Sequence, residues 1–314
     1  MSSKGYAFAV ANVRAAENEL LTHSFFDQLV NAASAAEMKR MLSDKGINVP
    51  DVDFMKNVWD YISEIAPQPE ELEFLIVRND FHNLKSVLKG TAAGTDGRRF
   101  CIKPSITDTD VLYDAVKNKN FDILPEWISG AAAEGYELLT SVMDGRMLDM
   151  FLDRKSVETT VAFARKTENS FFRDYAEKFA ALTNIKIALR LSNNDVSEAT
   201  LGYAFAECRD TDAAALKSAV LKDRNDVVSY IETTEYRFLT ESISKSFADF
   251  ERECDNFLYS VIQSARMESF GPEPLAAYFL AKEAEYKNLA LIAGAKNADL
   301  PDVSVRERMR EIYV

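Results

Sequence analysis

Glycine and proline are scarce in this chain of 314 residues, which contains 11 glycines and 8 prolines. Each is about half of the ~7% and ~5% shares that proteins usually contain. Strands and hairpins depend on such turn residues, whereas long helices with short connections do not. Hydrophobic residues make up 47% of the chain, enough for substantial cores. The composition therefore favours an all-α protein.

Cysteine and long apolar runs are scarce as well. Cys101, Cys208 and Cys254 are odd in number and far apart, so they form neither a disulfide framework nor a CxxC metal or redox motif. We therefore expect them to be reduced thiols in a cytoplasmic protein. No basic stretch followed by an apolar run opens the sequence, so no signal peptide is predicted. No apolar run reaches ~18 residues, so no membrane span is predicted.

Positive charge is in the minority. The chain has 37 lysines and arginines against 50 acidic residues, for a formal net charge of −13. Such a field repels phosphate backbones and anionic lipid headgroups. Binding of nucleic acid and direct adsorption to lipid are therefore disfavoured. The acidic surface favours solubility, with a complementary basic partner as the alternative.

The apolar residues that are present recur every three or four positions, the period of an amphipathic helix. One stripe runs through Phe172, Tyr175, Phe179, Leu182, Ile185 and Leu189, and a second runs through Ile243, Phe247, Phe250, Cys254, Phe257, Leu258, Val261, Ile262 and Ala265. The sequence "SAAE" at 34–37 predicts a capping box, and "GPEP" at 271–274 places proline near the start of a helix. The glycine-rich stretch 90–105 is predicted to be a loop or linker.

A short helical phrase occurs three times. Asn83, Asn184 and Asn288 head the phrases "NLKSVLK", "NIKIALR" and "NLALIAG", 101 and 104 residues apart. A second phrase, "DTDVLYDAVKNKN" from Asp108, returns 102 residues later as "DTDAAALKSAVLK" from Asp210. Two markers with nearly the same period favour a true repeat over chance recurrence of short helical phrases.

The period predicts three helical repeats. Each is about the size of a small domain, and their boundaries are 1–105, which is irregular, 106–207 and 208–314. Symmetric arrangements close around an axis, which is either filled or open to another molecule.

Several aspartates cluster and could bind Mg²⁺. These are Asp108, Asp110 and Asp114, together with the pairs Asp51/Asp53 and Asp210/Asp212. Each cluster lies where a helix is predicted to begin. There a carboxylate accepts hydrogen bonds from free backbone N–H groups and meets the positive end of the helix dipole. We therefore favour helix capping over metal binding.

The repeated asparagines have basic neighbours, Lys85 and Lys186, which suggest an anion site as one alternative. We favour a structural role, in which the asparagines pack or hydrogen-bond between repeats and the lysines lie in solvent.

No residue is nominated for catalysis, and no metal or cofactor is predicted. His23 and His82 belong to no HExxH motif, and GxxxxGK[ST], GxGxxG and GxSxG are absent from the sequence. The closing "VSVRERMREIYV" carries Arg306, Arg308 and Arg310 and is predicted to be a charged surface helix, with a partner contact as the alternative.

Several segments carry a resemblance to a known family. They are "NDFHNLKSVLKG" in the first third, "GPEPLAAYFLAKEAEYKNLALIAGAK" in the last third, and the closing "VRERMREIYV". These resemble the C-type subunit of the archaeal and bacterial V-type ATPases, the family that includes the d-type subunit of the eukaryotic vacuolar ATPase. The opening "YAFAVANVRAAENELLTHSFFDQLV" is similar to that family's first helix. The middle of the chain matches only in helical character, and no basic residue follows Asn288 in "NLALIAG".

The resemblance implies a fold and a role. The fold is three similar helical domains around a pseudo-threefold axis, forming a funnel with a central cavity. The role is a non-catalytic rotor subunit on the cytoplasmic face of the membrane. As a socket, it couples the central shaft (D-type and F-type subunits) to the membrane proteolipid ring, for proton or sodium transport. No cofactor is implied, and no shaft-contact or ring-contact residue is assigned.

Two other classes of function are weighed against this one. The first is a cytoplasmic α-helical scaffold that binds a partner helix or peptide. The second is a helical metal-dependent hydrolase that uses Asp108, Asp110 and Asp114. A solenoid scaffold would show repeats of ~20–50 residues rather than ~100, and a metallohydrolase would usually have more than two histidines.

Overall fold

A computed structural model describes residues 5–47, 51, 53–142, 145–193 and 196–312. Every regular element in this part of the chain is helical, so the predicted all-α class is confirmed. The chain divides into two compact units, one formed by residues 1–69 with 241–314 and the other by residues 70–240. The division differs from the three predicted repeats, whose boundaries remain a prediction.

Sixteen α-helices are assigned within the described residues. The first four are α1 (Ala7–Ala16), α2 (His23–Asn31), α3 (Ala35–Asp44) and α4 (Phe54–Ile65). The middle of the chain forms α5 (Val77–Ala92), α6 (Thr109–Asn118), α7 (Glu126–Glu137), α8 (Gly145–Lys166), α9 (Ser170–Leu191), α10 (Glu198–Leu201), α11 (Ala213–Val220) and α12 (Arg224–Glu232). The last four are α13 (Thr240–Lys245), α14 (Phe247–Gln263), α15 (Glu273–Asn297) and α16 (Asp302–Arg306). Short 3₁₀ turns join several of them, among them Pro69–Leu75 and Gly97–Phe100.

The unit that holds both ends of the chain is built around α15. This helix contacts α1, α3, α4, α14 and α16. Its residues Leu289 and Ile292 belong to one core with Phe26 and Leu29 of α2 and Met38 of α3. Because the core joins residues from both ends of the chain, neither end can complete it alone.

The unit formed by residues 70–240 is built around α5, α8 and α9. Helix α8 contacts both α5 and α9. Phe81 and Leu84 of α5 share a core with Leu148, Phe151 and Leu152 of α8, and all five are at most 2% exposed. Full burial of each such side chain contributes roughly 1.5–3 kcal/mol to folding.

The predicted helix starts at 34–37 and 271–274 are confirmed. Ser34 accepts a hydrogen bond from the Glu37 backbone N–H, and the Glu37 carboxylate accepts one from the Ala33 N–H at 2.7 Å. Helix α15 begins at Glu273 with Pro274 in its first turn. These signals act within three residues of the helix start, which is why the sequence shows them.

The two predicted apolar stripes have different outcomes. The first lies along α9, where five of its six residues are buried and Phe179 is half-buried. The second stripe is divided between α13, α14 and a final 3₁₀ turn. Ser246 breaks it: its side chain accepts a hydrogen bond from the Asp249 N–H and so caps α14.

The glycine-rich stretch 90–105 was predicted to be a loop or linker, and most of it is a loop that packs on its own helix. Its first residues complete α5, and the 3₁₀ turn Gly97–Phe100 packs back against that helix. A Cβ atom at Gly97 would lie 2.2 Å from the Ser86 carbonyl oxygen. Only glycine therefore allows this turn to approach α5 so closely.

Candidate functional site

Asn83, the first of the three repeated asparagines, is fully buried on α5. Its Nδ2 donates to the Ile102 carbonyl at 3.0 Å, and its Oδ1 accepts from the Ile102 N–H at 2.8 Å. One amide side chain thus pairs with both polar groups of a single backbone residue. We call this arrangement the asparagine clamp.

Asn184 and Asn288 form the same clamp. Asn184 Nδ2 donates to the Ala206 carbonyl at 2.8 Å, and its Oδ1 accepts from the Ala206 N–H at 3.0 Å. Asn288 pairs in the same way with Arg310, with both distances 3.0 Å. Both asparagines are fully buried, and each clamped residue lies 22 positions further along the chain.

The clamps act inside each predicted repeat, not between repeats. We expected contacts between repeats, but Ile102, Ala206 and Arg310 each follow their asparagine within the same stretch of about 100 residues. A buried peptide group without a hydrogen-bond partner destabilises the fold. A non-helical segment beside a helix has no neighbouring strand to supply that partner. The asparagine supplies it.

The first clamp has two reinforcing neighbours on α5. Asn79 donates to the Pro104 carbonyl at 2.8 Å. The carboxylate of Asp80 accepts from the N–H groups of Ile106 at 3.0 Å and Thr107 at 2.6 Å. Burial raises the pKa of Asp80, and the hydrogen bonds that it accepts oppose this rise. Helix α5 therefore holds the whole segment from Ile102 to Thr107.

Lys85 and Lys186 are half-buried, so the expectation that they lie in solvent is wrong. The Lys85 ammonium lies 2.5 Å from an Asp153 carboxylate oxygen and 3.8 Å from one of Asp149, both on α8. This pairing joins α5 to α8 and leaves Lys85 engaged with carboxylates. Lys186 also takes part in an interaction.

Two of the predicted aspartates cap helices. The Asp108 carboxylate accepts from the N–H groups of Asp110 and Val111 at the start of α6. Asp212 accepts from those of Ala214 and Ala215 at the start of α11. The cap is thus the first residue of the phrase from Asp108 but the third residue of the phrase from Asp210.

The other aspartates of the two phrases bind elsewhere. The Asp110 carboxylate lies 2.7 Å from Arg98, whose guanidinium also pairs with Asp96. The Asp210 carboxylate pairs with Arg209 and accepts a hydrogen bond from the Tyr236 hydroxyl. Burial, with the Asp210 charge, raises the Tyr236 pKa far above its usual range. Asp110 and Asp210 are therefore ion-pair partners and not caps.

The pair Asp51/Asp53 does not cap α4, contrary to our expectation. Asp53 precedes the helix without a side-chain cap, and the Asp51 carboxylate accepts from the Asp53 N–H at 3.0 Å. No group of three or more histidine, cysteine or acidic side chains in the described residues has the geometry of a metal site. The exposed His82 places its Nε2 3.1 Å from the Phe100 carbonyl oxygen.

The C-terminal arginines lie partly outside the predicted surface helix. Helix α16 ends at Arg306, which pairs with Asp27 of α2. Arg310 is held by the third clamp, and its Nε donates to the Asp255 carboxylate at 2.7 Å. Arg306 and Arg308 are exposed, and Arg310 is half-buried. The tail is thus fixed to its own unit by Arg306 and Arg310, while Arg308 faces solvent.

A charge cluster on α8, α9 and the segment after α10 had no signal in the sequence analysis. Glu177, 4% exposed, accepts from Arg165 at 2.5 Å and from the Arg209 N–H at 2.7 Å. Arg209 also pairs with Asp174 at 3.0 Å. Burial would raise the Asp174 pKa, but hydrogen bonds from Arg209 and Lys178 outweigh it and lower the value. The residues of this charge cluster are far apart in the sequence, so only the fold brings them together.

Helix α4 leaves its apolar face half covered. Of that face only Ile62 is fully buried, while Phe54, Val58, Trp59 and Tyr61 are half-buried. Phe54 stacks on Tyr286 of α15 at 5.6 Å between ring centroids, and Tyr61 meets Tyr278 edge-on at 6.2 Å. A groove between α4 and α15 is lined by Ile47, Asp51, Phe54, Asn57, Val58, Tyr61, Tyr278 and Lys282. We call it the α4–α15 groove.

The fold and these sites define a class of protein: an all-helical chain whose repeated buried polar residues hold backbone segments in place. None of the described helices is both long and apolar enough to cross a bilayer.

Comparison with known proteins identifies the family. The chain belongs to the family described as ATP synthase (C/AC39) subunit, which matches residues 53–308. The resemblance to the C-type subunit of the V-type ATPases is therefore confirmed, and the chain is a subunit of a rotary ATPase.

Individual relatives match over nearly their whole length. The chain is 25% identical to the C subunit of the V-type sodium ATPase of Enterococcus hirae, with 96% of the chain and 97% of that protein covered. It is 25% identical to the C subunit of the A-type ATP synthase of Methanothermobacter thermautotrophicus, with coverages of 97% and 87%. It is 23% identical to the C subunit of the V-type ATP synthase of Thermus thermophilus, with coverages of 97% and 98%.

Proposed function

We propose that this chain is a non-catalytic rotor subunit, a socket that couples the central shaft of a rotary ATPase to its membrane proteolipid ring. Its partners are the D-type and F-type shaft subunits on one side and the ring on the other. Its place is the cytoplasmic face of the membrane, where it serves proton or sodium transport. The observation that carries the proposal is the family match over residues 53–308.

The proposed architecture is three related helical repeats, 1–105, 106–207 and 208–314, arranged around a pseudo-threefold axis as a funnel. The asparagine clamp supports this proposal because Asn83, Asn184 and Asn288 make the same pair of hydrogen bonds at nearly the same period. A subunit that couples the shaft to the ring must resist twisting, and close packing of helices provides that stiffness.

The α4–α15 groove is the shaft contact that we propose. Its floor is aromatic and aliphatic, and the charges of Asp51 and Lys282 border it. An apolar helix face from a partner would complete the half-covered face of α4, in the manner of a helix in a groove. The net charge of −13 would attract a basic shaft tip and orient its docking rather than supply most of the affinity.

Native mass spectrometry of the chain co-expressed with the two shaft subunits tests the socket. We expect a one-to-one-to-one assembly that weakens as salt rises. Val58→Asp places a charge in the groove and is expected to weaken shaft binding at least tenfold. Val303→Asp, at a residue of the same unit that is 64% exposed, is the matched control and should leave it unchanged. A free monomer at low and moderate salt alike would contradict the proposal and leave the scaffold alternative.

A further inference from the structure

Residues 99–103 form an exposed loop whose backbone is held by hydrogen bonds. We call it the Arg99–Lys103 loop. The Asn83 clamp fixes both backbone polar groups of Ile102. The Cys101 N–H donates to the Arg98 carbonyl at 3.0 Å. The backbone of the loop is thus held by Asn83 and Arg98, and the half-buried Cys101 packs against the core.

The side chains of Phe100 and Ile102 nevertheless point into solvent. Phe100 is 57% exposed and Ile102 is 42% exposed. The second clamp provides a comparison within the same unit, because the residues around its clamped Ala206 are covered: Ala204 is 1% exposed and Phe205 is 6% exposed. The same clamp therefore serves a buried segment in one place and an outward-facing apolar one in the other.

Two cations flank the exposed apolar pair. The Arg99 guanidinium lies 4.6 Å from the centroid of the Phe100 ring, and Lys103 is exposed on the other side of Ile102. Within the described part of the chain, neither Arg99 nor Lys103 forms an ion pair with a carboxylate. The neighbouring Arg98, by contrast, is neutralised by Asp96 and Asp110. The loop thus presents local positive charge on an acidic chain.

We propose that the Arg99–Lys103 loop is a docking surface for a different protein subunit, one that offers an apolar pocket bordered by carboxylates. Phe100 and Ile102 would enter the pocket, and Arg99 and Lys103 would meet its acidic rim. Aromatic residues and arginine are enriched where protein interfaces concentrate their energy. An anionic bilayer is disfavoured, because the chain's charge of −13 would repel it. This inference needs only membership of a rotary ATPase, not the socket role.

Photo-cross-linking in the assembled complex, purified from cells, tests the proposal. Phe100 is replaced by benzoylphenylalanine, and cross-linked peptides are identified by mass spectrometry. We expect a cross-link to an acidic segment of another subunit. The same replacement at Phe238, 40% exposed, is the control and should not reach that segment. A cross-link to a second copy of this chain, to lipid alone, or to no protein would overturn the proposal.

Charge reversal provides the second arm. Arg99→Glu with Lys103→Glu is expected to lower the cross-link yield at least tenfold. Lys39→Glu with Arg237→Glu makes the same change in charge at two other exposed positions and should lower it less than twofold. Equal yields from the two pairs would overturn the role of the cations. The thermal unfolding of each full-length variant is measured as well. A Tm within about 2 °C of the parent's (less than ~1 kcal/mol) shows that the variant folds, so a lower cross-link yield then reflects lost docking.

Flotation of the parent chain with vesicles of anionic lipid tests whether the loop binds a lipid surface instead of a protein. We expect no binding to such vesicles. Binding that Arg99→Glu with Lys103→Glu abolishes would overturn a protein partner in favour of a lipid surface. Loss of the cross-link while the shaft subunits stay bound in native mass spectrometry would concern this surface alone. Loss of shaft binding with the cross-link retained would concern the socket alone.

Discussion

A carboxamide offers an acceptor oxygen and two N–H donors, so it can pair with a peptide group as another peptide group does. Asn83, Asn184 and Asn288 use this property on one backbone residue each. Leucine would fill a similar volume but offers no hydrogen bond, and aspartate would accept but could not donate. Hydrogen bonding, more than size, therefore selects asparagine at these positions.

Asn184→Leu should lower the free energy of unfolding by about 2–6 kcal/mol. The clamped Ala206 is 1% exposed, so its N–H and C=O would lose their side-chain partner without gaining water, and each such loss costs about 1–3 kcal/mol. Urea unfolding followed by far-UV circular dichroism measures the change.

Asn18→Leu is the matched control for this prediction. Asn18 is exposed and donates only to the Arg14 and Ala15 carbonyls of the preceding helix. Its replacement should change the unfolding free energy by less than ~0.5 kcal/mol. If the two variants were equally stable, the clamp would contribute nothing to folding.

The sequence picked out the three asparagines by their period, but it could not give their partners. Ile102, Ala206 and Arg310 lie 19, 22 and 22 residues downstream, in segments without a regular pattern. We therefore expected contacts between repeats. The sequence analysis missed Asp80 and Glu177, because a sequence does not distinguish a buried acidic residue from an exposed one. Their burial is a consequence of the fold.

At the scale of helices, signals that act over a few residues were predictable. Ser34, Asp108 and Asp212 cap the helices that follow them, and their hydrogen bonds reach no further than three residues. The break at Ser246 was not predictable from periodicity, since the apolar stripe continues in phase across it. Asp53 shows the opposite failure, because it stands before α4 without capping it.

The 3₁₀ helix Pro69–Leu75 concentrates negative charge, and its Glu73 should make stability depend on pH. Burial raises the Glu73 pKa above its ordinary value of 4.5, and the nearby charges of Glu70 and Asp80 add to the rise. A raised folded-state pKa means that the folded chain binds the proton more tightly. Stability from this group is therefore greatest below about pH 4.5 and is lost as the pH rises through the folded-state pKa.

Glu73→Gln should therefore be more stable than the parent at pH 7, and the difference should shrink towards zero as the pH falls to about 4. Parallel urea titrations at several pH values measure it. Glu64→Gln removes one charge from an exposed position on α4 and controls for the change in net charge. A Glu73→Gln advantage that stays constant with pH would rule out titration of Glu73 as the cause.

For the whole molecule, the predicted sequence repeats and the two compact units are different divisions of the chain. The period of about 100 residues predicts repeats at 1–105, 106–207 and 208–314, whereas the compact units are 70–240 and the joined ends 1–69 with 241–314. The difference arises at both ends of the second predicted repeat. Helix α5 of the first repeat shares a core with α8, and α11 and α12 of the third repeat contact α9. A helix contributed across a repeat boundary has no mark in the sequence, because both helices have the same apolar period.

Fragments of the chain distinguish the two divisions. Residues 70–240 contain the whole core formed by Phe81 and Leu84 of α5 with Leu148 and Phe151 of α8, so this fragment should be helical and unfold cooperatively by itself. Residues 106–207 lack α5 and would expose the α8 face that it covers. We expect this shorter fragment to aggregate or to unfold without a cooperative transition, as measured by circular dichroism and analytical ultracentrifugation.

The third fragment, residues 241–314, is the control for chain length and helix content. It contains α14 and α15 but lacks Phe26, Leu29 and Met38, which complete its core. It should not fold alone, and mixing it with residues 1–69 should restore helicity because the two pieces together make one unit. A cooperative transition in residues 106–207 would instead show that a repeat is itself the folding unit, with α5 an addition to a core that closes without it.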